Sequence, residues 1–376
     1  MSEKIKLCCP CMFGLESVLS FEVKKLGGEN VQATNGRVFF EGGLSMIAKA
    51  NLWLRTAERV GVVMGEFRAE SFTELFDQTA ALPWERFIGR EDRFPVKCAS
   101  LSSKLFSVPD CQKIIKRAVV HRLEGIYHQR TFSETDALCR IQCLILKDNV
   151  LLLLDTSGAG LHKRGYRSNA NAAPIKETLA AGIVDLARVR QDSVVLDPMC
   201  GSGTLMIEAA LKALNIAPGI RRRFSAQSWS CFQNDIFHQV RSEAIAQVRK
   251  DAAFLAYASD IDPEAVRLTQ ENAVKAGVAT RIKAKKAPLA DFEANAGIVL
   301  TNPPYGERML EVEQAEVLYH QMGERFQPAA DLSYYIISPH ESFEEFFGRT
   351  AKRRRKLYNG SIRCQLFMFF GEDESS

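Results

Sequence analysis

The most chemically pointed stretch of the sequence is Asn302-Pro303-Pro304-Tyr305, inside TNPPYGER and directly after the apolar run GIVL. Such a run reads as a buried strand. The two prolines end it, because neither offers an N–H to a ladder. One task these residue types suit is gripping an exocyclic amino group on a flat base. That nitrogen is a poor nucleophile, since its lone pair is delocalised into the ring. Acceptors aimed at both N–H bonds favour a more tetrahedral nitrogen. Asn302 offers a side-chain oxygen, and Pro303 a backbone carbonyl held by its fixed φ and by Pro304 behind it. Tyr305 offers a face for stacking. A paired base would first have to leave its helix. With a strong electrophile such as a methyl sulfonium, no general base is required in the first step, and catalysis rests on alignment and electrostatics. A structural Pro-Pro turn capped by Asn302 would use the same residues, so the choice depends on what lies at the other strand ends.

The stretch SVVLDPMCGSGTLMIEAALKA supplies one of them. Val194, Val195 and Leu196 read as a buried strand closed by Asp197, and Cys200-Gly201-Ser202-Gly203 as a tight turn into a helix starting near Thr204. Glycines let backbone approach a ligand, and a helix N-terminus favours an anionic group. At the carboxyl end of a strand, this is where open α/β sheets bind ligands. Met206 stands where a dinucleotide fingerprint needs its third glycine, and there is no lysine for a phosphate-cradling loop. What fits is an adenosyl ligand without a pyrophosphate, its methionine carboxylate at the helix N-terminus and its ammonium near Asp197. Asp260-Ile261-Asp262-Pro263 follows another strand; its first carboxylate suits two ribose hydroxyls, though the same sequence also caps a helix well. Asp291-Phe292 offers a carboxylate beside an aromatic for an adenine. With these partners, the amino-group reading of Asn302–Tyr305 prevails over the turn.

These segments need a sheet to position them, and the sequence after residue 174 alternates helices and strands in the manner of a parallel or mostly parallel α/β sheet. A long stretch, residues 212–256, separates the first two strands and contains Arg221, Arg222 and Arg223. Ahead of it the pattern differs. GLESVLSFEVKKLG places Leu15, Val18, Leu19, Val23 and Leu26 on one helical face, and Asn35-Gly36 marks a hairpin. Residues 71–157 repeat the α+β character, with a helix beginning near Ser107 and Pro109. Both segments read as separate small α+β folds. SGAGLHKRGYRSNANAAP has linker composition. The expected organisation is an N-terminal unit at 1–67, a second at 68–157, a linker at 158–174 and an α/β domain at 175–376.

The 376 residues carry a net charge of +4, too mild to demand an acidic partner, so local clustering must decide. Between residues 97 and 130 seven Lys/Arg face two acids, and Lys113, Arg117 and His121 share a helix face with Lys116 beside them. This is either an ordinary solvated face or a patch that tracks phosphates. MSEKIKL is charged and no apolar core follows, and VLLLL is too short to span a bilayer; a cytoplasmic protein is expected. Ten scattered cysteines fit reduced thiols. Cys8, Cys9 and Cys11 contain one CxxC without a second pair, so no metal site is expected. The acidic ending GEDESS reads as disordered.

Taken together, Asp197-Pro198-Met199-Cys200-Gly201-Ser202-Gly203-Thr204, Asp260, Asp291-Phe292 and Asn302-Pro303-Pro304-Tyr305 resemble the ordered motifs of class I S-adenosylmethionine-dependent methyltransferases acting on amino nitrogens. PIKETLAAGIVDLA resembles the helix that precedes the glycine loop there. CPCMFGLESVLSFEVKKLGGENVQATNGRVFFEG resembles a ferredoxin-like domain paired with a THUMP domain. KRGYRSNANAAPIKETLAAGI and KRRRKLYNGSIRCQLFMF are also similar to that group, the bacterial THUMP-containing RNA methyltransferases related to the guanine-N2 methyltransferase of large-subunit rRNA. The resemblance implies a Rossmann-like methyltransferase domain preceded by an α+β ferredoxin-like plus THUMP RNA-binding region. It implies S-adenosylmethionine as cofactor and RNA as partner, rRNA first and tRNA second, with no membrane and no metal. Asp197, Pro198, Cys200, Gly201, Ser202, Gly203, Thr204, Asp260, Ile261, Asp291, Phe292 and Asn302 would hold the cofactor, and Asn302, Pro303, Pro304 and Tyr305 the target base. Lys113, Lys116, Arg117, His121, Lys163, Arg164, Arg167 and Arg353 are the expected RNA contacts. The rival readings are a tRNA guanine-N2 or an adenine-N6 methyltransferase, and a non-catalytic RNA-binding protein with a vestigial pocket.

Overall fold

The computed structural model describes residues 4–167, 175–232, 235–305 and 309–370. Part of the expected linker (168–174), the end of TNPPYGER (306–308) and the acidic GEDESS ending (371–376) lie outside the described residues. The chain forms two compact units. One comprises Met1–Pro10, Ser20–Leu161 and Arg222–Glu243; the other comprises Cys11–Leu19, His162–Arg221 and Ala244–Ser376.

The first unit is built on β1 (Ile5–Pro10), the part of α1 (Glu16–Lys25) from Ser20 onward, β2 (Glu29–Thr34), β3 (Arg37–Gly42), α2 (Leu44–Trp53), β4 (Gly61–Arg68), α3 (Phe72–Ala80), β5 (Val96–Leu101), α4 (Val108–Tyr127), β6 (Ile141–Leu146) and β7 (Asn149–Asp155); the start of α1, Glu16–Leu19, belongs to the second unit. The strands form one sheet in the order β2-β3-β1-β4-β7-β6-β5. The two small α+β folds expected from sequence therefore share a sheet, joined where β4 pairs antiparallel with β7 from Gly61↔Asp155 to Arg68↔Asn149. VLLLL explains why: Val150–Leu154 is buried throughout, so β7 is an interior strand with neighbours on both edges. Local chemistry closes the elements. Gly36 turns the β2–β3 hairpin at φ +73°. Ser71 and Glu74 form a reciprocal capping box at the start of α3. Ser107 occupies the N-cap of α4 as expected, but its hydroxyl bonds the Asp110 carboxylate rather than a backbone N–H.

The second unit holds α5 (Glu177–Leu186), β8 (Val194–Asp197), α6 (Thr204–Ala213), β9 (Leu255–Asp260), α8 (Pro263–Ala276), β10 (Ile282–Lys286), β11 (Gly297–Thr301), α9 (Met309–Arg325), β12 (Leu332–Ser338), α10 (Phe343–Phe347), β13 (Arg353–Asn359) and β14 (Ile362–Phe369); α7 (Ile236–Ala246) precedes β9 in the chain. Strand order is β10-β9-β8-β11-β12-β14-β13. The first five strands run parallel, and β14 runs antiparallel to both its neighbours. This is the mostly parallel α/β sheet that the alternation predicts. Strand order reverses between β8 and β11, and the carboxyl ends at such a reversal are where open α/β sheets bind ligands. Apolar clusters flank the sheet: one around Leu179, Met206 and Phe254, the other an aromatic group of Tyr319, Phe326, Phe343 and Phe347.

No disulfide joins the ten cysteines, all of which are among the described residues. Among the described residues no helix is long and apolar enough to cross a membrane, and no group of three His, Cys, Asp or Glu is placed to hold a metal ion.

Candidate active site

The carboxyl edge of the second sheet gathers Asp197 at the end of β8, Asp260 at the end of β9 and Asn302 just past β11. Asp197 is almost fully buried, and burial pushes its carboxyl up to about 8. One oxygen accepts the Met199 N–H at 3.1 Å. Burial outweighs the Met199 and Thr301 groups that favour its charged form, so a ligand's cation beside it would find a ready counter-ion.

Two glycines shape the loop that follows, for different reasons. Gly201 has φ +52°, and a Cβ there would meet nothing within 4 Å, so that side of the loop is open to a ligand. Gly203 has φ +76°, and a Cβ there would lie 2.8 Å from Thr269, so this glycine permits close packing on α8. Thr269 donates to the Gly201 carbonyl at 2.9 Å and Asn272 to the Ser202 carbonyl at 3.0 Å. Both side chains are fully buried. Sequence reading passed over them because they look like ordinary positions in a capped helix; the signal was two polar residues three apart on its apolar face. Ser202 and Thr204 hydroxyls lie 3.2 Å apart at the start of α6, both buried. Cys200 is buried, with its thiol pushed up by that burial, and its N–H bonds the Ser259 carbonyl.

Asp260 accepts the Gly201 N–H at 2.9 Å and the Asp262 N–H at 3.0 Å, which fixes its carboxylate toward the loop. The helix-cap role considered for this segment falls to its neighbour, since Asp262 accepts the Glu264 N–H at 2.9 Å. Ile261 is 69 % exposed, a flat apolar surface beside Asp260. Asp291 is exposed in a single helical turn after β10. Phe292 instead turns edge-on to Phe326 at 5.3 Å within the aromatic cluster.

At the third strand end, Asn302 is half-buried and Pro303 buried. The Pro304 carbonyl accepts from Tyr319 at 3.3 Å. Tyr305 packs partly against the core, and its hydroxyl donates to Asn302 Oδ1 at 2.5 Å. The Asn359 amide at 3.4 Å and the Cys364 thiol at 3.9 Å approach the same phenol oxygen. Neither residue stands out in the sequence, since neither lies in the motifs that close the parallel strands.

The basic residues divide into two groups. Lys113, Arg117, His121, Lys163 and Arg353 are exposed, with His121 against Phe76 at 5.7 Å. The other three expected RNA contacts are engaged within the fold. Lys116 lies 3.4 Å from the Phe94 ring centroid and 2.5 Å from Glu134. Arg164 is buried against Glu208 at 3.4 Å. Arg167 bonds the Ile175 carbonyl and pairs with Glu177 at 3.2 Å. In the run at 352–356, Arg354 pairs with Glu344, and Arg355 bonds the Gly14 carbonyl and the Ser17 hydroxyl.

The residues present fit S-adenosylmethionine. Asp197 can receive an ammonium, the α6 N-terminus a carboxylate, Asp260 a ribose and Ile261 an apolar ring face, while Gly201 leaves the approach open. Comparison with known proteins agrees. The RMKL-like methyltransferase domain matches residues 164–367, the RlmL ferredoxin-like domain 6–61 and the THUMP domain 69–155. The chain is 42 % identical over 374 residues to the putative RNA methyltransferase YpsC of Bacillus subtilis, covering 98 % of this chain and 97 % of that one. It is 34 % identical over 370 residues to the ribosomal RNA large subunit methyltransferase K/L of Psychromonas ingrahamii, covering 95 % of this chain but 49 % of the relative, so it spans about half the length of such a protein. A crystal structure of SMU.472, a putative methyltransferase complexed with SAH, superposes with a TM-score of 0.94 at 39 % identity over 99 % of both chains.

Proposed function

Because the chain belongs to the RMKL-like methyltransferase family, we propose that it transfers the methyl group of S-adenosylmethionine to the exocyclic N2 of a guanine in large-subunit ribosomal RNA. The observation that carries this reading is the convergence at one sheet edge of a buried carboxyl, an open glycine loop and an amide beside two prolines and a tyrosine. S-adenosylmethionine supplies the methyl on a positively charged sulfur when bound. Asp197 and the first turn of α6 orient its methionine end, and Asp260, Ile261 and Asp291 its nucleoside. Asn302 Oδ1 and the Pro303 carbonyl accept the two N–H bonds of the target amino group and align its nitrogen for in-line attack. Tyr305 presents a ring to the base. The proton leaves the nitrogen after methyl transfer, so no base is needed before it.

RNA recognition falls to the THUMP region and exposed cations. Lys113, Arg117 and His121 on α4, with Lys163 and Arg353, contact phosphates, as expected where an RNA is recognised by shape. Nucleoside mass spectrometry of RNA from a deletion strain tests the assignment. Loss of N2-methylguanosine from large-subunit rRNA supports it. Loss from tRNA, or loss of a methyladenosine, moves the substrate to one of the rivals.

A further inference from the structure

The Tyr305 hydroxyl sits between two amides. On one side is Asn302 Oδ1 at 2.5 Å; on the other is Asn359 Nδ2 at 3.4 Å, with the Cys364 thiol at 3.9 Å. Asn359 is the last residue of β13, paired with Ile362 across a turn that uses Gly360 at φ +65°. Its position is set by an unbroken ladder from Arg353↔Met368 to Asn359↔Ile362, and β14 is in turn paired with β12. It is therefore a fixed point of the sheet.

The direction of these bonds follows from counting protons. An amide nitrogen and a thiol approach the phenol as donors, and the phenol oxygen can accept from both. Among the described residues, its single proton goes to Asn302 Oδ1. With Asn359 Nδ2 toward the phenol, the atom of Asn302 facing Tyr305 is the carbonyl oxygen, since an NH₂ there would add a further donor and leave the phenol proton without a partner. Burial favours the neutral, proton-bearing phenol, consistent with its donor role.

We propose that Asn359 is a positioning residue for methyl transfer: through the Tyr305 hydroxyl it fixes which end of the Asn302 amide faces the target amino group. This rests on the reading that Asn302 accepts from the base. An amide oxygen has two lone pairs, so Oδ1 can hold the phenol with one and a substrate N–H with the other. An amide turned end for end would set NH₂ against NH₂ and oppose binding of the target nitrogen. The relay Asn359–Tyr305–Asn302 thus keeps the acceptor in place before substrate arrives.

The test is a double-mutant cycle with Asn359→Ala and Tyr305→Phe, scored by kcat, KM for RNA, cofactor binding heat and melting temperature. Tyr305→Phe keeps the ring and removes only the hydroxyl. Each single variant is expected to lose about tenfold in kcat, the scale of one lost orienting hydrogen bond, with cofactor Kd and RNA KM within about twofold. The double variant should be no worse than Tyr305→Phe. Asn359→Asp keeps the shape, removes the donor and should lose as much as Asn359→Ala; it also serves if the alanine variant folds poorly. Multiplying losses would show that Asn359 acts independently of the hydroxyl and would overturn the proposal. Unchanged or increased kcat in Asn359→Ala would overturn it too, an increase meaning that Tyr305 obstructs Asn302. Asn302→Ala is measured alongside. Full turnover in that variant refutes the underlying base-acceptor reading, whatever the cycle returns.

Discussion

Replacing Asp197 by asparagine should stabilise the cofactor-free protein while weakening cofactor binding. The carboxyl is buried and pushed from its ordinary 3.8 up to about 8. The folded state therefore holds a proton that the unfolded state releases between those values, so stability is greatest below pH 4 and is lost as pH rises toward 8. With each unit worth about 1.4 kcal/mol, the penalty of the acid grows from about 1 kcal/mol at pH 4.5 to about 4 kcal/mol at pH 7. An asparagine keeps an oxygen for the Met199 N–H but buries an NH₂, which costs about 1–2 kcal/mol at any pH. The net gain is about 2–3 kcal/mol at pH 7 and nothing, or a small loss, at pH 4.5. Melting of the two proteins side by side should show the variant about 4–10 °C higher at pH 7, converging as pH falls. Other titrating groups shift both proteins alike and cancel in the difference. The variant should bind S-adenosylmethionine at least about tenfold more weakly, having lost a charge-assisted hydrogen bond to the ammonium. A pH-independent difference, or a variant less stable at every pH, would refute the buried-acid argument.

The two loop glycines should separate by mechanism. Gly203→Ala, strained at positive φ and in contact with Thr269, should lose about 3 kcal/mol of stability, against about 1 kcal/mol for Gly201→Ala, whose defect should be in cofactor affinity; melting and binding heat distinguish them. Asn272→Ala removes a buried bond to the Ser202 carbonyl and should reduce stability by about 1–2 kcal/mol, with a parallel loss of cofactor affinity. Lys113→Ala with Arg117→Ala should lower RNA affinity and reduce the slope of log K against log salt by about 1.5, read by fluorescence anisotropy; an unchanged slope removes α4 from the RNA surface.

The second unit was legible because its ligand-facing residues cluster in local motifs. Asp197 through Thr204, Asp260 and Asn302 through Tyr305 each close a strand, and their residue types point to chemistry without knowledge of distant contacts. What stayed hidden depends on pairing across the chain. Thr269 and Asn272 look like any polar residues of a capped helix until α8 is laid beside the glycine loop. Asn359 and Cys364 gain meaning when the C-terminal hairpin reaches the Asn302 turn. The shared sheet of the first unit depends on β4 meeting β7, residues far apart in sequence. Among the basic residues, charge pattern could not separate the exposed Lys113 and Arg117 from Arg164, because the difference is a buried Glu208 contributed by another element.

The most direct test of the account is methylation in vitro. The purified protein is incubated with S-adenosylmethionine and large-subunit rRNA from a strain lacking its gene, and the digested nucleosides are measured by mass spectrometry, with Asn302→Ala as control. New N2-methylguanosine is expected with the natural protein and almost none with the variant, although the variant still binds cofactor. Methylation confined to adenine, or equal N2-methylguanosine from both proteins, would contradict it.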